Sequence, residues 1–268
     1  MGQIVTERIL KDRGALRKKL DESRYSSDEM DVILLDFQEK YELFEEVERK
    51  LAEELRGYES VHSVMSRIKS PASLFEKILR KDNPQRQKIT LANYTSQITD
   101  LVGIRVLYLY ASDWYSVYCQ IEENHKPDRH EKPIVKLRLG DDTTIYTGLA
   151  DPSCIEIDDS GIYRSVHYII RDNQNSNIFA EVQTRTIFEE GWSEINHRIY
   201  KNSQEDSSVI AISAVLSRTV GVCNELGMLL GSKYNRDASQ VISSKAEASV
   251  AQGELFEDIL LRFLREST

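Results

Sequence analysis

A chain of 268 residues is long enough for one sizeable domain with extensions or for two small domains. Its formal net charge of −9 makes the molecule acidic as a whole, which weighs against a general nucleic-acid-binding surface while leaving room for local basic patches. Cys119, Cys154 and Cys223 lie far apart with no metal-finger spacing, residues 1–30 are too charged for a signal peptide, and no apolar run is expected to span a bilayer; reduced thiols, a cytoplasmic setting and no membrane partner are the expectation.

Residues 5–57 read as helices. The second of these is expected to carry Phe37, Phe44 and Leu51 at seven-residue spacing, with Val47 and Leu55 extending the stripe. Residues 61–90 change character: Arg67, Lys69, Lys77, Arg80, Lys81, Arg86 and Lys88 stand against only Glu76 and Asp82. Ser70 reads as an N-cap with Pro71 in the first turn, which places Lys77 and Arg80 on one helical face. A charge run is usually a solvated face. So much positive charge in one stretch of an acidic chain is also what a polyphosphate site needs.

A strand is expected at 103–110 and a helix at 113–124. Short strands follow at 134–139 and 143–148, and further strands at 165–171 and 178–184. Helices are expected at 187–200, 207–230 and 244–265. Strands interleaved with helices predict an α+β or α/β core with helical additions at both ends, divided as 1–60, 61–202 and 203–268. Val209, Ile212, Leu216 and Val220 form one terminal stripe, and Leu255, Ile259 and Leu260 another. These suit a homo-oligomer contact or packing within the chain equally well.

A period of two puts Glu181, Gln183 and Arg185 on one face of a strand and Ala180, Val182 and Thr184 on the other. The first set makes a poor core face and a reasonable wall for a polar ligand or a metal ion; an exposed sheet face would tolerate the same residues. In the next helix, Phe188, Trp192, Ile195 and Ile199 form an apolar stripe expected to pack on the sheet, while Glu190, Glu194 and His197 recur on a neighbouring face. Glu194 and His197 suit a metal or, more often, a pair that orients other groups. Asp100 stands just before the 103–110 strand. Magnesium takes one or two carboxylates plus substrate phosphates, so Asp100 and Glu181 form such a set if their strands are neighbours. In Tyr163-Arg164-Ser165-Val166-His167, an exposed tyrosine offers a base a flat face, and Arg164 and His167 can reach phosphates or sugar hydroxyls. A loop tyrosine covering the core edge beside a structural histidine is the alternative.

Together, in this order, these segments resemble the RelA/SpoT nucleotide pyrophosphokinase domain over roughly residues 60–202. Arg67-Ile-Lys69-Ser70 through Ser73 and Lys77 is similar to the family's R-x-K-x-x-x-S-x-x-x-K segment, which implies ATP phosphate binding. Asp100-Leu-Val-Gly103-Ile-Arg105 is similar to D-x-x-G-x-R, which implies magnesium on Asp100 and Arg105 near the adenine. Tyr163-Arg-Ser165-Val-His167 resembles the acceptor loop Y-x-S-x-H, with the tyrosine stacking on the acceptor base. Glu181-Val-Gln183-Thr-Arg185-Thr186, continuing through Trp192, Glu194 and His197, resembles E-x-Q-x-R-T…W-x-E-x-x-H, in which Glu181 is the second acidic catalytic residue and a metal ligand.

The resemblance implies a nucleotidyltransferase-like mixed β-sheet flanked by helices. It implies an alarmone synthetase that transfers pyrophosphate from ATP to the 3′-hydroxyl of GDP or GTP with Mg2+ and releases AMP. Gln183, Arg185, Glu194 and His197 fall with Tyr163, Ser165 and His167 on the acceptor side. No histidine is followed by aspartate, so the hydrolase motif of the long relatives is missing and a synthesis-only member is expected.

Two departures bear on the acceptor. Ile162 separates Gly161 from Tyr163, where the family loop joins glycine directly to tyrosine, and Glu156-Ile-Asp158-Asp159 is acidic and repels phosphates. An adenine nucleotide or a tRNA 3′ end therefore stays open as acceptor, with tRNA disfavoured by the acidic charge. A non-enzymatic nucleotide-binding module is the reading from a different class.

Overall fold

The computed structural model describes residues 4–11, 13–125, 131–172, 174, 178–200 and 206–234. Four helices lead the chain: α1 (Ile4–Leu10), α2 (Gly14–Asp21), α3 (Ser27–Glu39) and α4 (Tyr41–Arg56). Ser26 opens α3 with a capping box. Its hydroxyl accepts from the Glu29 N–H at 3.2 Å, and the Glu29 carboxylate accepts from the Ser26 N–H at 2.9 Å, satisfying two donors that a helix start leaves unpaired. The single helix expected through Phe37 and Leu55 is broken at Lys40, whose N–H turns back to Asp36 and Gln38. The seven-residue spacing therefore spans two helices, and Phe37 and Phe44 stack across the break with ring centroids 5.1 Å apart.

The remaining elements are β1 (Ser63–Ile68), α5 (Pro71–Lys81), α6 (Tyr94–Gln97), β2 (Val102–Tyr108), α7 (Trp114–His125), β3 (Ile134–Arg138), α8 (Thr144–Thr147), β4 (Glu156–Gly161), β5 (Ser165–Arg171), β6 (Phe179–Thr186), α9 (Ile187–Tyr200) and α10 (Ser207–Tyr234). The expected helix at 244–265, with Leu255, Ile259 and Leu260, lies outside the described residues. Six strands form one sheet in the order β1-β2-β6-β5-β3-β4. The pairs β2/β6 and β3/β4 are parallel and the other three are antiparallel, so the sheet is mixed, as expected.

One sheet face is core. Ile104, Val106, Val182, Val166, Tyr168 and Val135 are essentially solvent-free. Helix α4 covers this face with Phe44, Val47, Leu51 and Leu55, so the N-terminal helices and the sheet share one apolar core.

Several expectations give way here. The strand expected at 143–148 is the one-turn helix α8, because Asp142 accepts both the N–H and the hydroxyl of Thr144 at 2.8 and 2.7 Å and turns the chain. β1 and β4 carry too little apolar alternation to be legible: β1 is half-exposed, and β4 is an acidic edge strand. The stripe on α9 does not pack on the sheet. Phe188, Ile195 and Ile199 are 41, 48 and 44 % exposed, whereas Glu189 and Glu190 are buried beside Trp192. Buried hydrogen-bond partners for the two glutamates turn the helix. Lastly, α10 is long and apolar enough, by length and composition, to cross a membrane, contrary to the sequence expectation. Its polar residues are engaged with the domain: Ser213 O accepts from Trp192 Nε1 at 3.1 Å, and Asn224 bonds Thr186 and Glu189.

Candidate active site

The site is built on the sheet face opposite α4. Parallel pairing aligns Gly103 of β2 with Glu181 of β6 and Arg105 with Gln183. Asp100, just before β2, thereby comes to the same cleft as Glu181. That cleft, about 220 Å³, is lined by Arg67, Asp100, Gly103, Arg105, Glu181, Gln183, Glu194 and His197 among others. Gly103 lies under the Arg67 side chain; a Cβ there would sit 3.7 Å from Arg67 Cγ.

Ser70 caps α5 by accepting the Ser73 N–H at 3.2 Å, with Pro71 in the first turn as expected. The cap fixes the direction in which Lys69 leaves β1 and Lys77 leaves the helix. Both ammonium groups converge on Asp100 Oδ2, at 2.7 and 2.8 Å. Burial opposes ionisation of Asp100, but the two lysine bonds prevail and hold its carboxyl below the ordinary value. Burial likewise lowers the Lys69 pKa, against the pull of Asp100. Asp100 Oδ1 is buried without a hydrogen-bond partner.

The rest of the basic stretch goes elsewhere. Lys81 bonds Gln97 O at 2.7 Å, Lys88 pairs with Glu29 at 2.5 Å, and Arg80 is exposed. Ser73 is exposed on the first turn of α5, where its hydroxyl accepts from Ser70.

On β6, Glu181 Oε1 lies 3.2 Å from His167 Nδ1, and Oε2 accepts from Gln183 Nε2 at 2.9 Å. Burial again opposes ionisation, and so does the Asp100 charge. The histidine and glutamine bonds outweigh both, leaving the Glu181 carboxyl below its ordinary value. His167 Nε2 is buried without a partner.

Gln183 Oε1 accepts from Tyr163 Oη at 3.2 Å and from Arg185 Nη2. Arg185 is only 1 % exposed. Its Nη1 donates to Ser193 Oγ at 2.8 Å and lies 3.3 Å from Glu190 Oε2. Its guanidinium sits 4.8 Å from the centre of the Tyr163 ring, which also touches Trp192 and His167. Tyr163, expected as exposed, is half-buried within this cage, and burial raises its pKa.

Arg105 is tied to α9, its Nη1 donating to Glu190 Oε1 at 2.7 Å and Glu194 Oε1 at 2.5 Å. Glu190 thus links Arg105 to Arg185. Sequence reasoning placed Glu190 on a helix face without giving it a role. The legible signal is two glutamates four residues apart, a like-charge pair that asks for a cation. His197 reaches the same cleft from one turn further along α9.

Two residues of the acceptor loop are buried. Ser165 is buried and its hydroxyl donates to Thr184 O at 3.3 Å. Arg164, expected to reach phosphates or sugar hydroxyls, is 8 % exposed and runs to Asp141 and α10 instead. The acidic segment before the loop lies on β4, where Asp158 is 3.2 Å from Lys136 Nζ.

Among the described residues, no group of three or more His, Cys, Asp or Glu side chains forms a metal cage. Asp100 and Glu181 offer a two-carboxylate oxygen set, which fits magnesium that is completed by substrate phosphates. The unpartnered Asp100 Oδ1 is the available donor.

A mixed six-stranded sheet flanked by helices, with two carboxylates in one cleft and two lysines bound to one of them, defines an α+β domain with a charged polar site. The model described as a region found in RelA / SpoT proteins matches residues 66–205, more than half of the chain, and the protein belongs to that family. It is similar to GTP pyrophosphokinase YwaC of Bacillus subtilis (strain 168), at 28% identity over 157 residues, which is 57% of this chain and 64% of that relative's length. The fold is similar to small alarmone synthetase 1 from Bacillus subtilis, with TM-score 0.54 and 16% identity over 75% of this chain and 99% of that one. It is also similar to a GTP pyrophosphokinase family protein from Streptococcus pneumoniae, with TM-score 0.50 and 21% identity over 77% and 96%.

Proposed function

We propose that this protein is a (p)ppGpp synthetase that moves the β,γ-pyrophosphate of ATP to the 3′-hydroxyl of GDP or GTP and releases AMP. The observation that carries the reading is the pairing of β2 with β6, which brings Asp100, with Lys69 and Lys77 bound to it, into one cleft with Glu181. Membership of the RelA/SpoT family and the similarity to a GTP pyrophosphokinase support it.

The acceptor 3′-oxygen attacks the β-phosphorus, its proton passes to the Glu181 carboxylate, and the bond from the β-phosphorus to the α–β bridging oxygen breaks as AMP leaves. Arg67, Lys69 and Lys77 hold the ATP phosphates, with Ser73 at the start of α5. Arg105, steadied by Glu190 and Glu194, lies against the adenine. Tyr163 stacks on the acceptor base. Arg185 and Gln183 hold that ring from behind, Ser165 fixes its strand, and His167 keeps Glu181 oriented. Glu194 and His197 close the cleft from α9.

Asp100 and Glu181 would hold a magnesium ion, which when bound neutralises charge on the transferred group. The protein acts on soluble nucleotides and is placed in the cytoplasm on that account.

The test is transfer from β-labelled ATP, with magnesium, to GDP, GTP, ATP or bulk tRNA in separate reactions. Label on a guanine nucleotide is the expected result. Label on adenine nucleotide or tRNA alone would reassign the acceptor, and no transfer with intact ATP binding would leave a nucleotide-binding module. Glu181→Gln should lose turnover by a factor of roughly 10²–10⁴, the usual scale for removing a general base, and still bind ATP. Normal turnover in that variant would remove Glu181 from the chemistry.

A further inference from the structure

We infer that α10, which lies beyond the family-matched segment, is a working part of the acceptor side, with Arg164 and Ser217 as positioning residues that set the place of Tyr163. The inference rests on the reading of Tyr163 as the aromatic that meets the acceptor.

The residues on both sides of Tyr163 are bound to one side chain of α10. Ser217, fully buried, donates its hydroxyl to Ile162 O at 2.8 Å. Arg164 Nη1 donates to Ser217 O at 2.7 Å and lies 3.2 Å from Ser217 Oγ. The same guanidinium makes a fork with Asp141, in the turn after β3: Nε to Oδ2 at 2.6 Å and Nη2 to Oδ1 at 2.7 Å. A buried guanidinium held by a bidentate carboxylate and a helix carbonyl has one place to sit. The chain to either side of Tyr163 is therefore anchored at 162 and 164, and the ring between them projects toward Gln183, Arg185 and Trp192.

Ile162 is the residue that separates Gly161 from Tyr163 in this chain, and its carbonyl is the one Ser217 receives. The turn into Tyr163 is thus secured by α10 as well as by the strands it joins. Helix α10 is itself closely fitted to the guanidinium. A Cβ on Gly221 would come 3.1 Å from Arg164 Nη2 and 3.6 Å from Cζ. A helical glycine, unfavourable in itself, leaves room here for the arginine.

Gly221→Ala separates a positioning role from a structural one. Alanine favours the helix, which offsets the crowding of Arg164, so the melting temperature should change little, while the new methyl shifts Arg164 by a few tenths of an ångström and Tyr163 with it. Ser217→Ala removes the bond to Ile162 O directly.

The experiment measures KM for GDP and for ATP, and kcat, in the wild-type chain and both variants, alongside the melting temperature. The acceptor KM should rise by roughly three- to tenfold in both variants with the ATP KM within about twofold of wild type, because misplacement of a substrate-orienting group is felt only by the substrate it orients. An unchanged acceptor KM in both variants overturns the inference. So does a loss that moves both KM values together with the melting temperature. A wild-type chain that transfers label to no acceptor removes the proposed function and this inference with it; a wild type that transfers, with indifferent variants, removes the inference alone.

Discussion

Asp100 shares its carboxylate with Lys69 and Lys77 and stays ionised although burial disfavours that. The two lysines are therefore already bound to a carboxylate, and any phosphate must compete with Asp100 for them. Lys77→Ala should weaken ATP binding by about tenfold, the lower end of what a charge-assisted hydrogen bond contributes. Calorimetric titration measures this, and an unchanged affinity would take Lys77 out of the phosphate clamp.

Asp158 illustrates the same physics away from the cleft. The Ser160 hydroxyl and N–H, together with Lys136, pull its pKa from 3.8 to about 2. The folded chain therefore gives up this proton more readily than the unfolded chain. The stabilisation is complete above about pH 3.8 and is lost as pH falls through the window down to about 2. Asp158→Asn should flatten the stability curve in that window, as read from urea midpoints; a curve parallel to wild type there would rule out the linkage. The acidic segment on β4 is thus neutralised in part by Lys136 before any acceptor phosphate meets it.

At the scale of elements, caps were legible and helix orientation was not. The Ser70–Pro71 start is local and stands in the structure as expected; the Ser26–Glu29 box, found in the structure, is written within four residues as well. Ser26→Ala should cost about 1 kcal/mol and lower the melting temperature by roughly 2–4 °C, as expected for a chain of this size. A shift near zero would mean that tertiary packing alone holds α3. Helix α9 shows the opposite case. Its apolar spacing pointed Phe188, Ile195 and Ile199 at the sheet, yet these are exposed, and the glutamates face inward. Arg105 and Arg185 arrive from β2 and β6 to meet Glu190, and Thr186 and Asn224 meet Glu189. Paired charge decided the rotation of the helix, and no periodicity within α9 could report those distant partners.

At the scale of the whole molecule, α10 is joined to the domain by buried polar bonds as much as by apolar contact. Asn224 accepts from the Thr186 hydroxyl and donates to Glu189 Oε1, both at 2.8 Å, and all three residues are buried. Asn224→Ala leaves a hydroxyl and a carboxylate oxygen without these partners in the interior, and should cost about 2–3 kcal/mol. Urea unfolding measures it, and a loss below about 0.5 kcal/mol would mean that water replaces the amide.

What the amino-acid sequence determined by itself was the set of local features: the order of most elements, the caps, the alternating face of Glu181, Gln183 and Arg185, and the motifs that resemble a pyrophosphokinase. These depend on spacings of two to four residues, and chain geometry converts such spacings directly into faces. Only the tertiary structure decided that β2 lies beside β6, which brings Asp100 into one cleft with Glu181. It also decided that Arg164 turns from the cleft to α10, that α9 buries Glu189 and Glu190, and that one helix was two. Each of these depends on which segments distant in the chain come to pair and on where a buried charge finds its partner, and local periodicity carries no record of either.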